Sequence, residues 1–320
     1  MMPEVSVNSR AHEIVCRMVS ESERLQIREE RLPSGATVID AGVAVKGGYA
    51  AGLYVTQICM GGLCECQIYE EDFDGLVLPS IHVSTDHAAI STLGSQFAGW
   101  QIKVGNYLAM GSGPGRALAL KPKELYQKIG YKDEADVAIL VLETDEKPSD
   151  EVAKFIAQHC RVTTENLYLV LTPTSSIAGL VQVSGRIVET GIHKLSELGL
   201  DPKTIISGSG VAPIALSHPK SAKALGRTND MILYGGRVYL TVSCDDENTL
   251  SQLVAKAPSR SSKDYGQPFY ETFKSVGFNF YEIDPHLFAP AMILVNNMKT
   301  GNSFVAGEVN SEILRRSLGL

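Results

Sequence analysis

Arg186 and Glu189 are the residues whose types and spacing most directly suggest chemistry in this chain. They lie three residues apart in segment 176–198, whose apolar periodicity predicts a helix. At about 100° per residue, both side chains fall on one face of that helix. The same face also carries Ser175, Gln182 and His193. A solvated face usually carries several lysines and glutamates, so this composition favours a cleft. The alternative is a surface ion pair, which contributes about 0.2–0.5 kcal/mol.

Two further groups of polar residues follow predicted strands. Thr174 and Ser175 come directly after the buried strand 167–172, and Asp86 and His87 follow the strand 78–84. Polar side chains at strand ends are well placed to contact a ligand, and they also occur as ordinary loop residues.

Segment 106–117 reads as a glycine-rich loop that leads into a short helix. Gly111, Ser112 and Gly113 would let backbone N–H groups approach an anion, and the helix N-terminus would favour negative charge there. Arg116 could add a bidentate contact to a phosphate or carboxylate. The segment is not a Walker A loop, and Arg116 occupies the third glycine position of the dinucleotide fingerprint. A tight turn imposed by packing is the alternative.

Segment 226–230 offers another polar cluster, placed just before a predicted strand. Arg227, Asn229 and Asp230 provide donors and acceptors that could bind a planar heterocycle. A turn capped by asparagine and aspartate accounts for the same residues equally well.

A metal site is disfavoured by the spacing of the candidate ligands. Cys59, Cys64 and Cys66 cluster, but they lack the paired Cys-x2-4-Cys units and the fourth ligand of a zinc site. His82, Asp86 and His87 are better explained as ordinary polar residues near the end of a strand than as metal ligands. We therefore expect no metal, and we expect the cysteines to be small buried side chains.

Composition excludes several classes of protein. The formal net charge is −7 and the sequence contains no basic tract, which argues against nucleic-acid binding. Apolar runs such as 137–142 are strand-sized, far short of a membrane span. The polar segment 1–10 lacks the apolar core of a signal peptide. We therefore expect a cytoplasmic protein.

The order of predicted elements indicates an α/β fold. Strands at 137–144 and 167–172 alternate with helices at 149–159 and 176–198. Segment 207–229 is rich in glycine, proline and serine, so we interpret it as a long functional loop. Other predicted elements are helices at 9–26, 49–60, 88–99, 247–256 and 267–276, and strands at 37–45, 64–70, 78–84, 101–104, 232–243 and 291–306.

Motifs spread over nearly the whole chain occur together in a fixed order. They lie at 41–43, 65, 83–87, 98–100, 109–114, 116–124, 188–191, 226–230 and 288–291. Together they resemble the methenyltetrahydromethanopterin cyclohydrolase family. The chain departs from that family's pattern at Gly115, Gly185, Met292 and Asn297, which bears on contacts to the far end of the substrate.

The resemblance implies an enzyme of one-carbon metabolism, in methanogenesis or formaldehyde oxidation. Such an enzyme reversibly hydrolyses N5,N10-methenyltetrahydromethanopterin to the N5-formyl form without a metal or redox cofactor. The resemblance also implies two α/β domains with the active-site pocket between them, assembled as a homotrimer. We divide the chain into a first domain, 1–145 plus 290–320, and a second domain, 146–289.

Residue by residue, the family's essential arginine and glutamate fall on Arg186 and Glu189, and its anion site falls on 111–116. We expect the substrate to contact Asp86, His87, Gly111, Ser112, Gly113, Arg116, Thr174, Ser175, Gln182, Arg227, Asn229 and Asp230.

The chemistry of this substrate suits the two residues. The methenyl carbon lies between two nitrogens in a cationic amidinium, so it is already electrophilic. Glu189 would take a proton from the attacking water, which requires hydrogen-bond reach to that water. Arg186 would hold the carboxylate in place and favour its ionised form.

Two other functions remain open at this point. One is a phosphoryl-transfer enzyme built on 111–116, which is weakened by the missing lysine and the absence of an obvious Mg²⁺ carboxylate set. The other is a non-enzymatic binder of pterins or nucleotides, in which Arg186 and Glu189 form a structural ion pair.

Overall fold

A computed structural model describes residues 5–279 and 282–320. The predicted domains also include 1–4 and 280–281, which lie outside the described residues. The chain forms two compact units, each assembled from two segments. The first unit consists of Met1–Cys64 and Ile90–Gln182, and the second of Glu65–Ala89 and Val183–Leu320. Within the described residues each unit contains a six-stranded sheet with helices, so the prediction of two α/β domains is confirmed.

The first unit is built around a mixed sheet. Its strands are β1 Arg28–Arg31, β2 Thr37–Asp40, β5 Trp100–Val104, β6 Tyr107–Ser112, β7 Ala138–Glu143 and β8 Leu167–Leu171. They are arranged in the order β1-β2-β8-β7-β6-β5. The central strands β2, β8 and β7 are parallel, whereas β1, β6 and β5 pair antiparallel with their neighbours. The helices are α1 Val7–Ser20, α2 Ser22–Leu25, α3 Tyr49–Cys59, a π-helix at Thr92–Gln96, α5 Gly115–Ala119, α6 Lys123–Ile129 and α7 Asp150–Cys160, together with α4 Ala88–Ser91 and α8 Ile177–Ser184, each of which has its outer two residues beyond the limits of the unit.

Apolar side chains cover both faces of this sheet. β7 and β8 are continuous apolar runs, as expected for parallel strands buried on both sides. Leu140 and Leu142 of β7 lie in one core with the helix α7. Ile139 and Val141 lie in the other core with α1 and α3. This alternation fixes which face each residue at the strand ends must occupy.

The second unit is also built around one sheet. Its strands are β3 Glu65–Asp72, β4 Val77–Thr85, β9 Ile205–Pro213, β10 Arg237–Val242, β11 Met292–Asn297 and β12 Ser303–Gly307. They are arranged in the order β12-β11-β10-β9-β4-β3, with β10 and β11 parallel and the other neighbours antiparallel. The helices are α9 Ile187–Glu197, α10 Ser221–Gly235, α11 Glu247–Lys256, α12 Phe269–Ser275 and α13 Ser311–Leu318.

The predicted helix 176–198 is interrupted in the structure. α8 ends at Ser184 and α9 begins at Ile187, with Gly185 and Arg186 between them. The Arg186 N–H donates to Val183 O at 3.1 Å, an i−3 bond that closes a tight turn in place of the α-helical pattern. Glycine is a poor helix former, so the break falls where propensity is weakest.

The prediction of a loop at 207–229 is wrong. The segment contains most of β9 and the first half of α10. Glycines are typical of loops, but Gly208 and Gly210 lie in the strand β9, where they allow close packing. A Cβ at Gly208 would lie 2.7 Å from Val188 Cγ1 of α9, so the missing side chain lets the helix approach the sheet.

The predicted domain limits differ from the observed division. The predicted first domain includes segment 290–320, whereas β11 pairs with β10 and β12 with β11 in the sheet of the second unit. Residues 146–182, grouped with the second domain, belong to the first unit. The reason is that α7 and β8 complete the parallel core of that unit, with β8 between β2 and β7.

Candidate active site

Arg186 and Glu189 lie at the N-terminal end of α9. Arg186 is the N-cap residue and Glu189 is in the first turn. Both side chains are buried, with 9% and 7% of their surface exposed. The N-terminus of an α-helix carries a partial positive charge, which favours an ionised carboxylate in the first turn. The structure therefore places a carboxylate and a guanidinium one turn apart at a helix end.

Close packing against the sheet holds α9 in place. Val188 packs at Gly208, and Ile187 lies against Gly210 on the same strand. The helix also lies close to the neighbouring strand β10, because a Cβ at Gly191 of α9 would lie 3.0 Å from Val238 Cγ1. Small residues at these contacts bring the helix close to β9 and β10, which limits how far the first turn can move.

The opposite end of α9 is anchored by a buried lysine. The Lys194 ammonium lies 2.9 Å from His286 Nδ1 and donates to His286 O at 3.0 Å. Burial lowers the pKa of Lys194 to about 8, although the nearby Asp284 has the opposite effect. These bonds tie the helix to the segment that follows Asp284.

Asp86 and His87 lie where β4 ends. Both are exposed, and the His87 N–H donates to Thr85 Oγ1 at 3.1 Å. Thr85 pairs with Gly208, the residue against which α9 packs. The structure therefore brings this end of β4 to the part of the sheet that supports α9.

Thr174 and Ser175 lie beyond the carboxyl end of β8, in the first unit. Both are half-buried, and the Thr174 hydroxyl donates to Glu143 Oε1. Glu143, the last residue of β7, was not among the predicted site residues. A lone glutamate at the end of an apolar strand could have indicated it, since the same argument identified Thr174. Gln182, in the adjoining α8, is buried.

The segment 111–116 lies in the interior of the first unit. Gly111 and Ser112 end the strand β6, and every residue from 111 to 117 is buried. The Gly113 N–H donates to Ser95 O at 2.8 Å, so this amide already has a hydrogen-bond acceptor within the protein. Ser112 pairs with Val141 and Gly111 with Leu142, which are two residues and one residue before Glu143 at the end of β7. The first part of the predicted loop 106–117, from Tyr107 to Ser112, is thus the strand β6.

Arg116 is fully buried and binds backbone carbonyl groups. Its Nε donates to Lys121 O at 2.9 Å, and Nη1 donates to Ser95 O at 3.0 Å and to Leu93 O at 3.3 Å. The carbonyls of Leu93 and Ser95 belong to the helical segment that ends near Gln96, where a cation is favoured. This geometry replaces the predicted anion contact of Arg116 with a structural role.

Replacing Arg116 with methionine is expected to lower the free energy of unfolding by about 3 kcal/mol, because several buried carbonyl groups would lose their donor. Urea denaturation measures the loss, with the exposed Arg10→Met as the control in the same unit. Unchanged stability together with a raised KM would instead support an anion contact.

The cluster at 226–230 lies within α10, where the predicted turn before a strand is replaced by a helix. Arg227 donates to Ser317 O at 3.3 Å and to Leu318 O at 3.0 Å, and so caps the end of α13. Asn229 donates to Leu225 O at 2.9 Å within its own helix. Asp230 is fully buried and accepts from the Phe269 N–H at 2.8 Å. These contacts give the cluster a structural role in joining α10, α12 and α13.

A cavity of about 150 Å³ lies beside this cluster. Its lining includes Lys223, Arg227, Tyr270 and Arg316, and it includes neither Arg186 nor Glu189. The cavity therefore belongs to the region around α10 and α13, and the first turn of α9 does not contribute to it.

Asp230 gives the protein a specific pH dependence of stability. Burial raises the pKa of Asp230 to about 7, so the folded chain retains a proton that the unfolded chain releases near pH 4. The stabilisation from this proton is complete below pH 4 and is lost as the pH rises through 7.

Asp230→Asn should therefore gain stability relative to the parent chain as the pH rises from 4 to 8, by roughly 2–4 kcal/mol. Unfolding midpoints measured across that range test this, with the exposed Asp145→Asn as the control. Parallel pH profiles for the parent and Asp230→Asn would contradict the assignment.

Among residues 5–279 and 282–320, no three His, Cys, Asp or Glu side chains are grouped closely enough to hold a metal ion. No disulfide joins the six cysteines, all of which lie in the described part of the chain; Cys59 and Cys160 are buried, whereas Cys16 is exposed. No helix within the described part of the chain has the length and apolar character that a membrane span requires.

Comparison with known proteins places these features in a family. Residues 6–318 match the family model described as cyclohydrolase (MCH). The chain belongs to the methenyltetrahydromethanopterin cyclohydrolase family. It is 48% identical over 316 residues to the methenyltetrahydromethanopterin cyclohydrolase of Methanococcoides burtonii, covering 99% of each chain. The enzyme of that name from Methanocaldococcus jannaschii is 46% identical over 325 residues, with 98% of each chain covered.

A third relative, from Methanothermobacter thermautotrophicus, is 46% identical over 319 residues and carries the same name, with 99% of this chain and 100% of the relative covered. The family resemblance inferred from the sequence motifs is confirmed. Because the matches extend over nearly the full length, they include both units.

Proposed function

We propose that this chain reversibly hydrolyses N5,N10-methenyltetrahydromethanopterin to N5-formyltetrahydromethanopterin. The observation that carries the proposal is the buried pair Arg186 and Glu189 at the start of α9, in a chain of this family. The curated relatives bear the name of this activity.

In the proposed mechanism, Glu189 takes a proton from a water molecule as that water attacks the methenyl carbon. The new C–O bond neutralises the amidinium and gives a hydroxyl adduct. The C–N10 bond then breaks, its electron pair goes to N10, and the protonated Glu189 delivers its proton there. Loss of the hydroxyl proton forms the formyl C=O, so each turnover releases one proton to solvent.

Arg186 is proposed to orient Glu189 and to favour its ionised form. A guanidinium presents several donors in a fixed plane, which suits a carboxylate one turn away. No metal or redox cofactor is needed in this scheme because the substrate carbon is already electrophilic and its oxidation level does not change.

Substrate contacts are proposed for Thr174, Ser175 and Gln182 in the first unit, and for Asp86 and His87 in the second. Gly111, Ser112, Gly113, Arg116, Arg227, Asn229 and Asp230 are better explained by the packing described above. We also propose that the chain assembles as a homotrimer and is located in the cytoplasm.

The proposal is tested by mixing the protein with the methenyl-pterin and following loss of the amidinium absorbance, without ATP and with a chelator present. We expect absorbance to fall far faster than in buffer. A rate equal to that in buffer would overturn the proposed function. It would favour the alternative of a non-enzymatic binder of pterins or nucleotides. Dependence on ATP would favour the phosphoryl-transfer alternative, which the burial of 111–116 argues against.

A further inference from the structure

The carboxyl ends of β7 and β8 lie side by side in the first unit. The two strands are parallel neighbours. The helix after β7, α7, lies in the core on one face of the sheet, whereas Ala178 of α8, which follows β8, lies in the core on the other face. Chains that leave adjacent parallel strands towards opposite faces open a crevice, and ligands of open α/β sheets bind at such points.

Glu143 and Thr172 stand side by side at these strand ends. Leu142 pairs with Leu171, so the next residues, Glu143 and Thr172, are neighbours. Leu142 and Leu171 face the α7 core, and strand alternation therefore directs Glu143 and Thr172 to the opposite face, towards α3 and α8.

The Glu143 carboxylate is oriented but has no cationic partner among the described residues. Thr174 donates to Oε1, and no lysine, arginine or histidine in the described part of the chain forms an ion pair with Glu143. The carboxylate is half-buried, so leaving it without a strong partner is unfavourable. A ligand that brings N–H donors would remove that penalty.

Thr172 provides a second, independent sign of a polar site. Its Oγ1 is buried and has no hydrogen-bond partner among the described residues. A buried hydroxyl without a partner costs about 1–3 kcal/mol, and such groups are few in native proteins. Glu143 and Thr172, two neighbouring polar side chains that can each form further hydrogen bonds, therefore lie at the strand ends where a ligand is expected.

We propose that Glu143 is a substrate-positioning residue that binds the 2-amino-4-oxopyrimidine ring of the pterin. This ring presents two adjacent donors, the N3–H and the 2-amino group, and a carboxylate accepts two parallel N–H bonds. Thr174 holds the carboxylate in the required orientation. The inference rests on the proposed function for the identity of the ligand.

The test uses Glu143→Gln, which keeps an amide oxygen for the Thr174 hydroxyl but replaces one acceptor with a donor. Loss of a charge-assisted hydrogen bond should raise KM for the methenyl-pterin about 10-fold or more, with kcat within about twofold of the parent. The exposed Glu146→Gln, three residues along the chain, is the matched control and should change neither constant.

A ligand contrast separates recognition from a structural effect. Dissociation constants for 6-methylpterin and 6-methyllumazine are measured by titration calorimetry, since lumazine replaces the 2-amino donor with an oxo acceptor. The parent chain should prefer the pterin by about 10-fold or more, and Glu143→Gln should lose that preference. Thr174→Val, which removes the orienting hydroxyl, should reduce the preference in the same direction and serves if Glu143→Gln does not fold.

Absence of a pterin preference in the parent chain, or a preference retained in both variants, would overturn the inference. A fall in kcat at constant KM would assign Glu143 to the chemical step and would equally overturn it. A parent chain that prefers the pterin but fails to hydrolyse the methenyl-pterin would refute the proposed function and leave the recognition by Glu143 standing.

Discussion

Glu189→Gln is expected to lower kcat by about 10³-fold while the protein remains folded, because glutamine cannot accept the proton from water. Glutamine has nearly the same shape as glutamate, so the first turn of α9 should keep its packing against β9. KM should change far less than kcat, since the interaction lost belongs to the transition state. Initial rates of amidinium loss at saturating substrate measure the effect.

Glu197→Gln is the matched control for this variant. Glu197 lies at the other end of α9 and is exposed, so its replacement should leave kcat unchanged. Equal thermal unfolding midpoints for the two variants would show that both are folded. Turnover by Glu189→Gln within a few-fold of the parent would remove Glu189 from the role of base.

Arg186→Gln is expected to lower kcat/KM by about 10²-fold or more, since preorganised charged donors at a reacting centre typically contribute that much. Arg186→Lys should recover part of the loss, because lysine restores the positive charge without the planar fork of donors. Steady-state kinetics of both variants measure this, and the lysine variant distinguishes a role of charge from a purely structural role.

The surface variant Arg260→Gln controls for loss of a positive charge in the second unit. Arg260 is exposed and pairs with Glu308 at 3.2 Å, a contact that should contribute little. If Arg186→Gln and Arg260→Gln had the same small effect on kcat/KM, Arg186 would be a structural residue and the proposed orientation of Glu189 would be wrong.

Local patterns in the sequence were sufficient to predict the parallel strands of the first unit and the positions of Arg186 and Glu189 relative to each other. The apolar run of β7 and the run of β8 are each the length of one strand, and the helices between and after them have clear apolar faces. The spacing of Arg186 and Glu189 places them one turn apart whether one helix continues or a new one begins. For this reason the pair could be predicted although the break at Gly185 was not.

The errors arise where a residue's role depends on contacts distant in sequence. Gly208 and Gly210 indicate a loop to any local rule, yet they form a strand because α9 packs against them. The side chain of Arg116 binds the carbonyls of Leu93 and Ser95, more than 20 residues away, which no motif reveals. Glu143 differs from these cases, because the local argument that identified Thr174, a polar residue at the end of an apolar strand, applies to it as well.

The most direct test of the central claim is a single turnover in H₂¹⁸O with enzyme in excess over the methenyl-pterin. If Glu189 activates a water molecule, the formyl oxygen of the product should carry ¹⁸O, and the peptide containing Glu189 should carry none. Appearance of ¹⁸O in the Glu189 side chain, with an unlabelled formyl group, would indicate direct attack by the carboxylate and would contradict the proposed mechanism.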